Sequence, residues 1–241
     1  MAIDKNSNGY TFTFAIIMVV VVGTLLATAS LGLKDRQDKN ASDKKMISIL
    51  SAVNIEATRE NAQEMFDTYV IDTLSIVISG KDLGAASFDI DIKKENRDKT
   101  LAEADRNYPL YICEKDSAKY YVIPVVGTGL WGPIWGFVAL ESDYRTIYGA
   151  TFDHKGETPG LGAEIKQASF SDMYTGEFVS DTSGVFIPIK VVKDSSGKGV
   201  NAKVDGITGG TITSVGVEKM VNKTLEVYVN YFNSLNKSYV R

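Results

Sequence analysis

The chain of 241 residues holds one cysteine, one histidine and five prolines. A lone Cys113 cannot close an intramolecular disulfide, and with His154 as the single imidazole no Cys/His zinc cluster can be assembled. That thiol fits either redox compartment. Positive charge is not in surplus: 26 Lys and Arg stand against 30 Asp and Glu, a net charge of −4. Without a cationic excess to neutralise phosphates, nucleic acid is not an expected partner. No G-x-S-x-G occurs to support a serine hydrolase. What is present is ordinary for a folded protein, since 44% hydrophobic and 10% aromatic content argue against a disordered or collagen-like chain.

Charge is also missing locally, from Asn6 to Leu33. The stretch Phe12 to Leu33 reads FTFAIIMVVVVGTLLATASLGL, long enough at about 1.5 Å per residue to cross a hydrocarbon core of about 30 Å. It predicts one membrane-spanning helix over 12–33, behind a short tail over 1–11. The apolar run exceeds the roughly 7 to 15 residues of a signal peptide, and only Lys5, beside Asp4, precedes it. An uncleaved anchor is therefore expected. Lys34, Arg36, Lys39, Lys44 and Lys45 follow the span, which opposes an outward-facing main domain by the positive-inside rule. That rule weakens for long translocated domains, so charge alone leaves the side open.

Beyond the span, 34–107 reads as a membrane-proximal helical part and 108–241 as a sheet-bearing part of one domain. Met46, Ile49, Leu50 and Val53 recur at helical spacing, and so do Ala62, Met65, Phe66 and Tyr69. From Tyr108 the pattern changes to short strand-like runs, YPLYIC, KYYVIPVVG, IWGFVAL, TIYGATF and VFIPIKVV, separated by Gly, Asp and Pro. A helix closes the chain, with Val217, Met220, Val221, Thr224, Leu225, Tyr228, Phe232 and Leu235 on one face. The expected class is α+β: a single N-terminal transmembrane helix followed by one sheet-containing domain with flanking helices.

Three stretches could carry chemistry. Asp205-Gly-Ile-Thr-Gly-Gly-Thr-Ile-Thr-Ser214 leads into the last helix, with Thr213 or Ser214 as expected N-cap. Free backbone N–H groups and the positive helix end suit a phosphate there, and Gly209 and Gly210 allow it close to the main chain. This stretch matches neither G-x-x-x-x-G-K-S/T nor G-x-G-x-x-G, and an ordinary strand–turn–helix junction also fits it. The segment from Gly127 to Val138 is dense in Gly and carries Trp131 and Trp135, which can flank a flat ring or fill a core. The loop His154-Lys-Gly-Glu-Thr-Pro-Gly-Leu-Gly162 follows a strand, the usual setting of functional loops. His154 as a catalytic base would need partners that the spacing does not reveal.

Taken in order, these pieces resemble the family of the C subunit of the sodium-translocating NADH:quinone oxidoreductase over nearly the whole chain. The resemblance rests on Leu33-Lys-Asp-Arg-Gln-Asp-Lys-Asn40 after the span, on Gly129-Leu-Trp-Gly132, on Glu157-Thr-Pro-Gly-Leu-Gly-Ala-Glu164, and above all on Asp205 to Ser214. In that family FMN is joined through its phosphate to a threonine in a D-x-x-S/T-G-A-T motif, installed by a flavin transferase that uses FAD as donor. Asp205, Thr208, Gly209 and Thr211 fit the pattern, with Gly210 in place of the usual Ala and Thr208 in place of the common Ser. The resemblance implies covalent FMN on Thr211, with Trp131, Glu157, Thr158, Leu161 and Gly162 around the ring. Leu161 and Trp131 would give apolar contact, Thr158 a hydrogen bond and Glu157 a local negative charge. No catalytic residue of the chain's own and no metal ligand is implied.

The resemblance further implies partners in the other membrane subunits of the reductase, and a bacterial inner-membrane location with the domain on the periplasmic side. It implies electron relay from NADH oxidation toward quinone, coupled to sodium export. Two alternatives stand beside it: the FMN-carrying subunit of an Rnf-type complex, and a membrane-tethered binding domain without flavin.

Overall fold

The computed structural model describes residues 7–78, 87–193, 196–197 and 199–238. The chain divides into two units, Met1–Lys45 and Met46–Arg241. The first is occupied by most of helix α1 (Asn8–Ala52), 45 residues long. Its apolar stretch has a window of mean hydropathy 2.5, none of it buried, and is long and apolar enough to cross a membrane. Apolar side chains on every side of this stretch leave it without a polar face, so it has no preferred side to turn to water. The polar stretch after Leu33 continues the same helix without a break.

The second unit begins with the last turns of α1 and continues through α2 (Ala62–Tyr69), β1 (Val70–Ile76) and α3 (Ile92–Arg97). Then come β2 (Tyr108–Lys115), β3 (Ala118–Thr128), β4 (Pro133–Leu140), β5 (Ile147–His154) and the short α4 (Ala168–Ser171). It closes with β6 (Lys190–Val192), β7 (Lys203–Asp205) and α5 (Thr211–Ser238). Strands β1 to β5 form one antiparallel sheet in sequence order, and β6 pairs parallel with β7.

The sheet is covered on both faces, and the side-chain alternation of a strand sorts its residues between them. Leu110, Ile123, Val125, Ile134, Val138 and Leu140 face one core with Val217, Met220, Val221, Leu225, Tyr228 and Phe232 of α5. Tyr111, Cys113, Val122, Phe137 and Ala139 face the other, with Ile49, Leu50 and Ala52 from the end of α1, Val53 just after it, and Met65 and Phe66 of α2. Each fully buried Val, Leu, Ile, Phe or Met among them contributes about 1.5–3 kcal/mol. A strand buried on both faces needs apolar residues at consecutive positions, which is why β4 reads IWGFVAL without alternation.

The α+β class expected from the sequence is the architecture found, and three local expectations are corrected. Strand β1 lies inside the stretch read as helical and pairs with β2. The run VFIPIKVV is strand only over Lys190–Val192. Pro188 has no N–H to give a ladder, and the N–H of Ile189 is donated to Asn222 Oδ1 of α5 at 2.9 Å. Helix α5 starts at Thr211, so Thr213 and Ser214 sit inside its first turn and neither is the N-cap.

Candidate functional site

Helix α5 crosses β3 closely enough that glycine is needed on both sides. A Cβ on Gly216 would stand 2.6 Å from the Thr128 carbonyl oxygen, and one on Gly127 would stand 2.7 Å from Met220 Cβ. This approach sets the N-terminus of α5 beside the turn between β3 and β4. That turn is closed by the Gly129 N–H donating to Gly132 O at 2.8 Å, and it presents Leu130 and Trp131 to solvent, Trp131 at 68% exposure.

The loop after β5 enters the same place. Glu157 is only 5% exposed. Its Oε1 accepts the Trp131 N–H at 2.8 Å, and its Oε2 accepts the Thr213 hydroxyl at 2.6 Å. Its own N–H is donated to His154 Nδ1 at 3.0 Å, which gives His154 a structural duty. The Thr158 carbonyl accepts the N–H groups of Leu161 and Ala163, both at 3.1 Å, in a tight turn that leaves Leu161 exposed. Leu161 rests on Gly209, where a Cβ would stand 2.6 Å from Leu161 Cδ2, and the φ of +74° there is the left-handed conformation that favours glycine.

The lead into α5 is a turn closed by the Gly210 N–H donating to Ile207 O at 2.9 Å. Ser214 braces it from inside the helix, where Oγ accepts the Ile207 N–H and donates to Gly210 O, each at 3.0 Å. A Cβ on Gly210 would stand 2.9 Å from Ile207 Cγ2, so a side chain there would force the turn to shift. The turn leaves Thr208 and Gly209 exposed and Thr211 half-buried. Among the described residues, the N–H groups of Thr208, Gly209, Thr211, Ile212 and Thr213 donate no hydrogen bond. Those of Thr208, Gly209 and Thr211 border a cavity of about 190 Å³ that Ser214 and Lys193 also help to line. Open amides at a helix N-terminus beside a lysine and a threonine hydroxyl can hold a phosphate or another anion.

The structure thus brings together Trp131, Glu157, Leu161, Gly162, Gly209 and Gly210 with the first turn of α5. Thr158 lies exposed on the rim. Asp205 stands apart in its hydrogen bonding: Oδ1 accepts the Gly197 N–H at 2.8 Å and so ties β7 to the segment after β6. Sequence reasoning passed over the anchoring roles of Thr213 and His154, the position of Lys193 and the exposure of Leu130 and Ile212. Spacing carried no signal for Lys193, which reaches the cavity only through the β6–β7 pairing. The exposed apolar side chains Leu130, Trp131, Leu161 and Ile212 are a surface that water does not favour.

Residues 129–226 match the FMN-binding domain family, a span that includes Trp131, Glu157, Lys193 and the first turn of α5. The chain is 32% identical over 213 residues to the C subunit of the Na(+)-translocating NADH-quinone reductase of Vibrio vulnificus (strain YJ016), covering 83% of each. To the protein of the same name in Vibrio parahaemolyticus it is 30% identical over 237 residues, covering 90% of each. Among solved structures, the C subunit from Parabacteroides distasonis superposes with a TM-score of 0.75 at 34% identity, over 83% of this chain and 96% of that one. NqrC of Shewanella oneidensis superposes with a TM-score of 0.70 at 25% identity, over 81% and 98% respectively.

Proposed function

The chain belongs to the family of the C subunit of the Na(+)-translocating NADH-quinone reductase, and from that premise we propose that it carries FMN on Thr211 and relays electrons from NADH oxidation toward quinone, coupled to sodium export. The observation that carries this reading is the Thr211 hydroxyl at the open N-terminus of α5, beside unsatisfied amides and a cavity of about 190 Å³. The residues fit the group. A phosphate esterified to Thr211 would have its oxygens met by amides of Thr208, Gly209 and the first turn of α5, and by the Lys193 ammonium.

Choice among neighbouring hydroxyls follows from burial. Thr213 is 1% exposed with its proton donated to Glu157, and Ser214 is fully buried and bonded at both ends. Thr211 is the hydroxyl of the first turn that a transferase can reach, and Thr208 is its one exposed competitor in the motif. Trp131 and Leu161 offer apolar faces to a flat ring, and Thr158 a hydroxyl at the rim. When bound, FMN supplies one- and two-electron chemistry, and the chain's task is to hold it in place and within reach of partners.

The partners are the other membrane subunits of the same reductase, and a flavin transferase during maturation. Residues 12–33 span the bacterial inner membrane, and 34–107 and 108–241 compose the domain on the periplasmic side.

Expression with a flavin transferase tests the reading. Wild type should fluoresce as a flavoprotein on a denaturing gel, Thr211→Ala should be membrane-bound and dark, and Thr211→Ser should keep part of the label. Peptide mass mapping that puts FMN on Thr208, Thr213 or Ser214 would overturn the site. Protease added to intact spheroplasts should digest the part after Leu33, and its protection would overturn the orientation.

A further inference from the structure

Glu157 has two acceptor oxygens, and each serves a different element. Oε1 holds the Trp131 N–H of the β3–β4 turn and Oε2 holds the Thr213 hydroxyl of the first turn of α5. The carboxylate is walled in by glycines that belong to two loops. A Cβ on Gly129 would stand 2.6 Å from Oε1, and a Cβ on Gly162 would stand 2.6 Å from Oε2. At 5% exposure the carboxylate is closed off from solvent. Its negative charge is met by two donors in a place of low dielectric, where such bonds are strong and losing one leaves its partner unsatisfied.

We propose that Glu157 is a positioning residue that couples the Trp131 turn to the first turn of α5, so that the wall of the ring site and the flavin attachment point move as one body. This rests on the flavin reading above. Because one carboxylate makes both bonds, removing the donor on α5 frees the carboxylate to swing and weakens its hold on Trp131, although Thr213 and Trp131 share no hydrogen bond. Thr211 lies two residues from Thr213 on the same helical turn, so the disturbance reaches the attachment point as well.

The test uses the full chain in detergent, expressed with and without a flavin transferase, as wild type, Glu157→Gln, Thr213→Val, Thr213→Ala and Thr213→Ser. Hydrogen–deuterium exchange is followed in the peptide containing Trp131 and, as a measure of global opening, in the one containing Leu225 and Tyr228. Expected is exchange at Trp131 faster by about tenfold in Thr213→Val and Thr213→Ala, with Thr213→Ser restoring the wild-type rate and the α5 peptide unchanged throughout. In the labelled chains, native flavin fluorescence relative to the denatured value should rise about twofold or more in Thr213→Val and Glu157→Gln, as a loosened Trp131 quenches less. Exchange at Trp131 that matches wild type in either folded Thr213 variant, or that rises only in step with the α5 peptide, overturns the coupling. Should Glu157→Gln not fold, the Thr213 variants, which keep the carboxylate, still decide. Exchange is read on unlabelled chain too, so a wild type without flavin on Thr211 defeats the functional reading separately from the coupling.

Discussion

Gly216→Ala sets two effects of opposite sign against each other. Position 216 is inside α5, where Ala is favoured over Gly by about 1 kcal/mol, so helix propensity alone predicts a more stable protein. The packing says otherwise. The new Cβ would stand 2.6 Å from the Thr128 carbonyl oxygen and 3.2 Å from Ile134 Cδ1. Carbon and carbonyl oxygen approach no closer than about 3.3 Å without repulsion, so α5 and β3 must separate locally by roughly 0.7 Å. Thr128 O is backbone in the sheet and cannot rotate aside, which places the cost in the upper part of the usual overpacking range of about 1–3 kcal/mol. The net expectation is a loss of about 1–2 kcal/mol, a fall in melting midpoint of roughly 2–8 °C for a domain of this size. The same separation moves Thr211 relative to Trp131, so flavin labelling should drop as well. Thermal melting followed by circular dichroism, on the full chain in detergent, measures the first effect. Gly156→Ala is the control, since a Cβ there meets nothing within 4 Å, and its effect should stay within about 0.5 kcal/mol. A Gly216→Ala chain that melts higher than wild type would refute the reasoning and show that the interface yields more easily than its backbone contacts allow.

Tyr228→Phe removes a buried hydroxyl that donates to Pro109 O at 2.6 Å, and should cost about 1–3 kcal/mol in urea unfolding because a buried hydrogen bond is lost. Cys113 is wholly buried and its thiol is pushed up to about 12 by that burial, so iodoacetamide at pH 8 should label it only after denaturation. Asp143 opposes a burial penalty with bonds from the Thr146 hydroxyl and the N–H groups of Thr146 and Arg145, which together hold its carboxyl below the ordinary range. Its folded value is therefore below its unfolded one, so its stabilisation is complete above the ordinary Asp range and is lost as pH falls through the depressed value. Asp143→Asn should lower the neutral-pH midpoint and flatten the acid limb of a stability–pH curve.

The elements legible in the sequence were those whose burial imposes a simple period. The core-facing stripe of α5 and the apolar runs of β2 to β5 read directly, because each contacts a large core on at least one face. Strand β1 escaped because only its last two residues are buried, and because α2 passes into it at Val70 without Gly or Pro to mark the change. The opposite error at VFIPIKVV has a matching cause. The composition is that of a strand, but Pro188 and the side chain of Asn222 take its backbone out of any ladder before Lys190.

The site divides along the same physical line. Groups that meet a ligand are constrained in type by the ligand's chemistry, so the glycines and threonines of Asp205 to Ser214 could be read as an anion cradle before any fold was known. Groups that hold those in place are constrained only by what the fold sets beside them. Nothing in Glu-Thr-Pro-Gly-Leu-Gly tells which way the Glu157 carboxylate turns. The fold turns it inward, to Trp131 N–H and the Thr213 hydroxyl. Thr213 looked like a helix cap because Ser and Thr before a helical stripe usually are, and α5 began two residues earlier because Gly210 and the Ser214 brace already close the turn. A residue whose partner is 56 positions away, as Glu157 and Thr213 are, can be assigned a role only when the topology that joins them is known.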